Sequence, residues 1–447
     1  MNLTKIKRAI ISVSDKSNLK LILPVLKKFK IEILSTGGSF KEIKKLKYNC
    51  IELSSYTGFP EILGGRVKTL HPKIHAGILN KRNNKSHQQD LINNKFENID
   101  LVIVNFYPFE ETLKSTNDHK KIIENIDVGG PTMVRAAAKN YKDVTVITDK
   151  SDYHKLVEEL QKYKGKTSIK FREEMSCKAF ASTAFYDATI TQWFNEKLKI
   201  NFPENKTFFG KKIHKLRYGE NPHQKSAIYL SDLNSDVLGF EKVNGKDLSY
   251  NNYNDIYAGL DILNSIKKIP TTVIIKHANP CGVASDKSPL KSFIKSQASD
   301  PISAFGGIVA CNFRINLKIA SEINKTFFEV VVAKGFEKNA LKTLKKKKNM
   351  RVIDISNMNT NKQTAIKIFD NSLLVQEKDN VVFDKKKLKF VSKIKPKKSE
   401  LKEIEFAYKI CKFVKSNAIV IVNDKSTIGI GAGQQNRLDS CKIAVQK

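Results

Sequence analysis

Ser35-Thr36-Gly37-Gly38-Ser39 follows a short apolar run and opens a helical pattern. Small residues at a helix start leave backbone N–H groups open to an anion, so the chemistry on offer there is phosphate binding. Ser14-Asp15-Lys16-Ser17 follows the preceding apolar run in the same way. Read alone, such a string is also an ordinary strand-to-helix turn. Three further polar segments interrupt the first part of the chain: Gly64 to Pro72, Asn105-Phe106-Tyr107-Pro108-Phe109, and Ile126-Asp127-Val128-Gly129-Gly130 with Pro131 to Asn140 behind it. The first is too polar for a core and too closely bounded by apolar residues for a plain linker. Pro131 suits the first turn of a helix, and Lys139 falls eight residues on, a little over two turns. Lys68, Tyr107, Asp127 and Lys139 are of the types that move protons and steady negative charge. Each also has a plainer reading: Tyr107 as a core tyrosine, Asp127 as a helix cap, the lysines as two among many on the surface. His277 beside Lys276 is, on its own, equally plain.

The elements that must position these residues alternate between two periods. Ala9 to Val13 is apolar and β-branched, and Leu19 to Phe29 has helical spacing. Ile31 to Leu34, Cys50 to Leu53, Leu101 to Val104 and Val144 to Thr148 read as further strands. Strands alternating with helices imply βαβ units and a parallel sheet, whose ligands sit beyond the strands' carboxyl ends. From about Lys166 to Lys199 the pattern is helical, and Asn201 to Lys206 reads as a linker. That predicts two domains, residues 1–200 and 201–447. The second opens on a turn-rich segment around Arg217 to Gln224 and continues with apolar strands such as Thr272 to Lys276 and Gly307 to Cys311.

Composition narrows the classes. Hydrophobic residues make up 40% of the 447 and charged residues 28%, the balance of a globular chain with ample core. No apolar run approaches the roughly 20 residues that span a bilayer, and the start of the chain has no signal-peptide pattern, so the expected location is cytoplasmic. The six cysteines lack C-x-x-C spacing, which leaves metal binding and a disulfide framework unsupported. The formal net charge of +34 invites a nucleic-acid partner. Only nine of the 79 basic residues are arginine, however, and specific phosphate and base recognition favours the arginine fork. Lysines spread along the whole chain, including Lys345 to Lys348 and Lys385 to Lys387, read as solvated faces.

Taken together and in order, the segments of the first part resemble one family. They are S-V-S-D-K at Ser12 to Lys16, S-T-G-G-S at Ser35 to Ser39, and T-G-F-P-E-I-L-G-G-R-V-K-T-L-H-P at Thr57 to Pro72. H-A-G-I-L at His75 to Leu79, N-F-Y-P-F at Asn105 to Phe109, I-D-V-G-G-P-T at Ile126 to Thr132 and R-A-A-A-K-N at Arg135 to Asn140 follow. The resemblance is to the bifunctional phosphoribosylaminoimidazolecarboxamide (AICAR) formyltransferase/IMP cyclohydrolases. It implies an N-terminal α/β domain of the doubly wound methylglyoxal-synthase type, and cyclisation of the formylated nucleotide FAICAR to IMP with loss of water. Because an amide nitrogen is a poor nucleophile, that step needs proton transfer and oxyanion stabilisation. Lys68, Tyr107, Asp127 and Lys139 match the family's catalytic positions. The resemblance implies proton transfer for Lys139, oxyanion stabilisation for Lys68, and orientation or deprotonation of the amide for Asp127. Ser14, Asp15, Lys16, Thr36, Gly37, Gly38, Ser39, Arg66, Val67, Thr69, Asn105 and Val128 are the implied substrate-binding residues.

The second part resembles the formyltransferase domain of the same family. Its strings are L-R-Y-G-E-N-P-H-Q at Leu216 to Gln224, G-K-D-L-S-Y-N-N at Gly245 to Asn252, and K-H-A-N-P-C-G at Lys276 to Gly282. S-D-P-I-S-A-F-G-G at Ser299 to Gly307, K-S-N-A-I-V at Lys415 to Val420 and G-I-G-A-G-Q-Q-N-R at Gly429 to Arg437 complete them. The implied fold is a layered, cytidine-deaminase-like α/β domain without that fold's zinc site, and no metal or bound cofactor is expected. The implied reaction moves a formyl group from 10-formyltetrahydrofolate, a cosubstrate, to the 5-amino group of AICAR. His277 matches the base, Lys276 a stabiliser of charge, and Asn417 a catalytic amide; Arg217, Tyr218, Asn252, Gly306, Glu329 and Arg437 match substrate contacts. Family members form homodimers with formyltransferase sites across the interface, which implies a homodimer here, with nucleotides and folate as small-molecule partners and neither nucleic acid nor membrane.

Two local departures stand out: Lys334 where the family has proline, and no glycine pair before L-L-V-Q. Family members also continue past the point where this chain stops, so the second domain is expected to be C-terminally incomplete, as a fragment, a shortened chain or one half of a split gene. The competing readings are a cyclohydrolase whose second domain is inactive, and a basic nucleic-acid-binding or scaffold protein.

Overall fold

The computed structural model describes residues 2–232, 238–358, 364–381 and 383–447. The chain divides into two compact units, one running to Gly210 and the other taking in Lys211–Leu230 and the chain through Lys447.

In the first unit, strand β1 (Arg8–Val13) is followed by helix α1 (Leu19–Lys28), strand β2 (Glu32–Ser35), helix α2 (Gly37–Lys45) and strand β3 (Ile51–Glu52). Strand β4 (Leu101–Asn105), helix α3 (Gly129–Lys139), strand β5 (Thr145–Ile147) and helix α4 (Ile169–Leu198) come later. The five strands form one parallel sheet in the order β3-β2-β1-β4-β5. Helices cover both faces of such a sheet, so its strands are apolar throughout rather than alternating. Ile10, Ile11, Leu34, Val102, Ile103 and Val146 are accordingly all buried in one core. The order reverses direction beside β1, which makes a crevice between the carboxyl ends of β1 and β4.

Two expectations need correcting. Cys50 to Leu53 is not all strand: only Ile51–Glu52 pairs, and Leu53 starts a short helix to Thr57. The long helix begins at Ile169, because Lys166–Ser168 pairs antiparallel with Leu3–Lys5 instead. Ser168 then caps the helix, its side chain accepting the Phe171 N–H.

The second unit is built on a mixed sheet. Its strands are β6 (Glu241–Asn244), β7 (Thr271–Lys276), β8 (Asn279–Ser285), β9 (Ile308–Cys311), β10 (Val330–Ala333), β11 (Arg351–Asp354), β12 (Ile419–Asn423) and β13 (Ser426–Gly431). Helix α5 (Tyr250–Ser265) lies between β6 and β7, and α6 (Arg437–Gln446) follows β13. The eight strands lie in the order β6-β11-β10-β9-β7-β8-β13-β12. Only β9-β10 and β10-β11 are parallel. Alternate residues point to opposite faces: Val273 and Ile275 enter the core shared with Ile256, Leu260 and Leu263 of α5, while Ile274 enters the core with Phe293 and Phe328. Lys211–Leu216 and Ser226–Leu230 form a separate hairpin in this unit. Among the described residues no helix is long and apolar enough to cross a membrane.

Candidate functional sites

The crevice of the first unit gathers the residues expected to hold a nucleotide. Asn105, at the end of β4, accepts the N–H groups of Ser14 and Asp15 at 2.6 and 3.1 Å and donates to the Asp15 carbonyl. Asp15 also meets the Lys150 ammonium at 2.6 Å, which holds its carboxyl down at about 2. Across β1, the Ser12 and Thr36 hydroxyls lie 2.8 Å apart, and the Ser39 hydroxyl bridges the N–H and carbonyl of Val13. These ties seat the start of α2 in the crevice. The first N–H groups of a helix have no carbonyl partner within it, and Gly37 and Gly38 add no side chain of their own beside them. A Cβ on Gly38 would lie only 3.1 Å from Cε of Lys16, whose ammonium donates to the Ser14 carbonyl. Anion-binding groups from three loops therefore converge at one edge of the sheet.

Asp127 sits beside the second helix start in this crevice. The plainer reading of it as a helix cap holds: its carboxylate accepts the Gly130 N–H at 2.9 Å at the start of α3. Burial pushes the carboxyl up, against the pull of the Gly130 and Tyr107 N–H groups and the Lys68 ammonium. The Lys68 ammonium lies by Gly65, where a Cβ would come within 3.5 Å of it. Tyr186 of α4 buttresses the same point, accepting the Asp127 N–H at 2.8 Å and donating to the Asn125 carbonyl at 3.1 Å. Sequence reasoning missed Tyr186, which lies in the middle of a long helix far from any motif. Thr69 is buried so close to α3 that a Cβ on Gly129 would overlap its hydroxyl. That packing explains the glycine pair better than turn geometry does. Val67 pairs with Ile62 in an isolated bridge, Val128 is the exposed N-cap position of α3, and Arg66 is ion-paired with Glu124.

Lys139 is not brought to this cluster. It ends α3, which runs back across the sheet from the carboxyl end of β4 and is about 16 Å long. Its neighbour Asn140 bonds the carbonyls of Ile78 and Asn80. Asp143 and Asp100, both bonded by Arg82, mark the amino edge of the sheet nearby. Lys139 lines a cleft of about 460 Å³ with Leu70, His75, Leu79, Thr132, Arg135 and Phe180. Lys139 lies twelve positions after Asp127 in sequence, and the helix between them carries the two to opposite ends.

In the second unit the strand directions collect the expected residues at one sheet edge. β7 runs toward it and β8 away, so the Lys276 to Asn279 turn stands there. β9, β10 and β11 all start at it, placing Gly306, Glu329 and Arg351 alongside. β13 ends there before Arg437, and Asn417 precedes the start of β12. Helix α5 presents Asn252, whose amide donates to Glu329 at 3.1 Å. Asn251 bonds the Glu220 carbonyl at 3.1 Å, which ties the Arg217–Tyr218 segment to the same helix start. The Arg217 guanidinium lies over the Tyr218 ring, 4.8 Å from its centroid. The Asn417 amide donates to the carbonyls of Gln434 and Gln435, both at 3.0 Å.

His277 and Ala278 form the two-residue turn between β7 and β8, with φ of 51° and 56°. A hairpin turn with both central residues at positive φ normally carries Asn-Gly or Gly-Gly. A side chain there costs about 1–2 kcal/mol per residue, and such strain collects at functional sites. The Lys276 ammonium donates to the Phe305 carbonyl at 2.9 Å, next to Gly306. Asp255, one turn along α5 from Asn252, accepts the Ala278 N–H at 2.7 Å. Burial raises its carboxyl, opposed by the N–H groups of Ala278 and His277 and by the imidazole. Sequence reasoning passed over Asp255, although an acid three residues after a site asparagine shares its helix face. Among the described residues no group of three or more His, Cys, Asp or Glu is arranged to hold a metal ion.

Comparison with known proteins gives these sites a context. A family model described as AICARFT/IMPCHase bienzyme matches residues 137–447, and an MGS-like domain model matches residues 22–132. The bifunctional purine biosynthesis protein PurH of Thermoanaerobacter sp. (strain X514) is 44% identical over 443 residues, covering 99% of this chain and 87% of the relative. That of Acetivibrio thermocellus is 44% identical over 449 residues, with the same two coverages, and that of Bradyrhizobium diazoefficiens is 42% identical over 448 residues, covering 99% and 84%. The crystal structure of ForH is 30% identical over 42% of this chain and 99% of its own, at a TM-score of 0.39. The expectation of an incomplete second domain finds no support in the PurH matches, which run over 99% of this chain. With an MGS-like N-terminal domain and a formyltransferase domain behind it, the chain belongs to the AICARFT/IMPCHase bienzyme family of purine biosynthesis, which formylates AICAR and cyclises the product to IMP.

Proposed function

We propose that the two activities are divided between the two units: cyclisation at the carboxyl edge of the five-stranded sheet, formyl transfer at the His277 edge of the eight-stranded sheet, with the division near residue 200. The reading rests on one observation: the two proton-moving groups, Asp127 and His277, stand on different sheets, each beside its own set of binding residues.

In cyclisation the carboxamide nitrogen of FAICAR attacks the formyl carbon, and water leaves. The N–H groups of Gly37 and Gly38 take the substrate phosphate with Ser14, Lys16, Thr36, Ser39 and Arg66. Lys68 and the N–H groups of Val128 and Gly129, at the positive end of α3, stabilise the oxyanion. Asp127, its carboxyl raised by burial and so a stronger base, orients or deprotonates the amide, and the Tyr107 phenol assists it. Lys139 is assigned to proton transfer. Since one chain holds it at the opposite edge, its ammonium serves the site of a second copy, in a homodimer.

In formyl transfer the electron-poor 5-amine of AICAR attacks the formyl carbon of the cosubstrate 10-formyltetrahydrofolate while His277 takes the amine proton; the formyl C–N10 bond then breaks, and N10 leaves with a proton as tetrahydrofolate. Lys276 and the Asn417 amide steady the tetrahedral intermediate; Arg217, Tyr218, Asn252, Gly306, Glu329 and Arg437 hold substrate. The partners are these small molecules and a second chain, in the cytoplasm. His277→Ala tests the division: formyl transfer falls at least about 100-fold while cyclisation of supplied FAICAR stays unchanged. Equal loss of both activities overturns it.

A further inference from the structure

We propose that Asp255 is a positioning residue for formyl transfer: its carboxylate clips the strained His277–Ala278 turn and so aims, and balances the charge of, the imidazole that takes the amine proton. The inference rests on the assignment of His277 as base.

Three observations carry it. First, the turn is in the left-handed region at both positions, at φ of 51° and 56°, with histidine and alanine where glycine or asparagine would sit without strain. Something outside the hairpin must hold it. Second, the Asp255 carboxylate accepts the Ala278 N–H at 2.7 Å and interacts with the His277 N–H. From the other side, the Asn279 amide donates to the His277 carbonyl at 3.0 Å. The backbone of the base is thus fixed from both sides. Third, the clip comes from α5, which also carries Asn252 one turn earlier, and Asn252 donates to Glu329. One rigid helix therefore spaces the base turn against a substrate-contact residue.

The charge matters as well as the geometry. When the amine attacks, the imidazole gains a proton and becomes a cation beside the Lys276 ammonium. Asp255 and, from the start of β10, Glu329 are the carboxylates on the other side of that balance.

The test uses the full chain and measures kcat and KM for formyl transfer, cyclisation of FAICAR, and Tm. Asp255→Asn retains an oxygen for the Ala278 N–H but removes the charge. Its kcat is expected to fall about 10-fold, with KM for AICAR and folate within about 2-fold and Tm unchanged. Asp255→Ala is expected to lose about 100-fold in kcat and some Tm. The double variant Asp255→Ala with Ala278→Gly relieves the turn, since glycine accepts positive φ. It is expected to regain Tm while kcat stays at least about 10-fold low. Recovery of kcat together with Tm, or a wild-type kcat in Asp255→Asn, overturns the proposal and leaves Asp255 a folding clip. His277→Ala run alongside separates the two assignments. If that variant keeps formyl transfer, the base assignment fails and this proposal with it. If it is inactive and Asp255→Ala is fully active, only the positioning role fails.

Discussion

In the five-stranded sheet every strand is parallel, and the residues of the proposed cyclising site stand mostly at helix starts and loops beyond the strands' carboxyl ends. In the eight-stranded unit the proposed base stands on a hairpin turn, and the neighbouring strands alternate in direction around it. The first arrangement supplies pre-aimed N–H groups and positive helix ends, suited to a reaction whose single substrate brings both nucleophile and electrophile and needs mainly anion binding and charge stabilisation. The second supplies a side chain on a strained, externally clipped turn, suited to removing a proton as two substrates meet. Backbone geometry is the resource in one site, and side-chain placement in the other.

That contrast can be broken most sharply at Asp127. Asp127→Asn should lower cyclisation about 100-fold or more and leave formyl transfer untouched, measured with FAICAR and AICAR supplied separately. A smaller but more telling effect comes from mixing two defective chains. Lys139→Ala and Asp127→Asn, unfolded and refolded together, should recover about a quarter of wild-type cyclisation, because half the dimers are mixed and each holds one whole site. If Lys139 acts in its own chain, no activity returns. Gly38→Ala comes next. Its Cβ would press on Lys16, so KM for the nucleotide in cyclisation should rise about 10-fold, with formyl transfer unchanged. The smallest effect is on stability. Asp127 has a raised carboxyl, so its contribution to stability is full below the ordinary carboxylate value and is lost as pH rises through the raised value. Asp127→Asn should therefore raise Tm at neutral pH, and the gain should vanish below about pH 3.8. A Tm gain that persists in acid would show that the carboxylate's charge is not its cause.

Much of this was legible in the chain. The apolar runs at Ala9 to Val13, Ile31 to Leu34 and Leu101 to Val104 lie within strands or one residue from their ends, because a doubly covered parallel sheet leaves no polar face to blur the pattern. The S-T-G-G-S turn was legible because small residues at a strand-to-helix junction have few other uses. The pairing of Leu3–Lys5 with Lys166–Ser168 was not, since it joins segments more than 160 residues apart and neither is long enough to show a period. The place of Lys139 was hidden for a different reason: a motif reports order along the chain, whereas a helix of three turns carries its ends to opposite edges of a sheet. The His277 turn was hidden because His-Ala lacks the residues that announce a turn. What permits it is Asp255, on another element.

The division of labour is tested most directly by supplying only AICAR and 10-formyltetrahydrofolate and following IMP. His277→Ala alone should make neither FAICAR nor IMP. Asp127→Asn alone should accumulate FAICAR. An equal mixture of the two should make IMP, because the product of one intact site feeds the other. A mixture that makes no IMP, or Asp127→Asn that makes it unaided at the wild-type rate, would contradict two independent sites on two sheets.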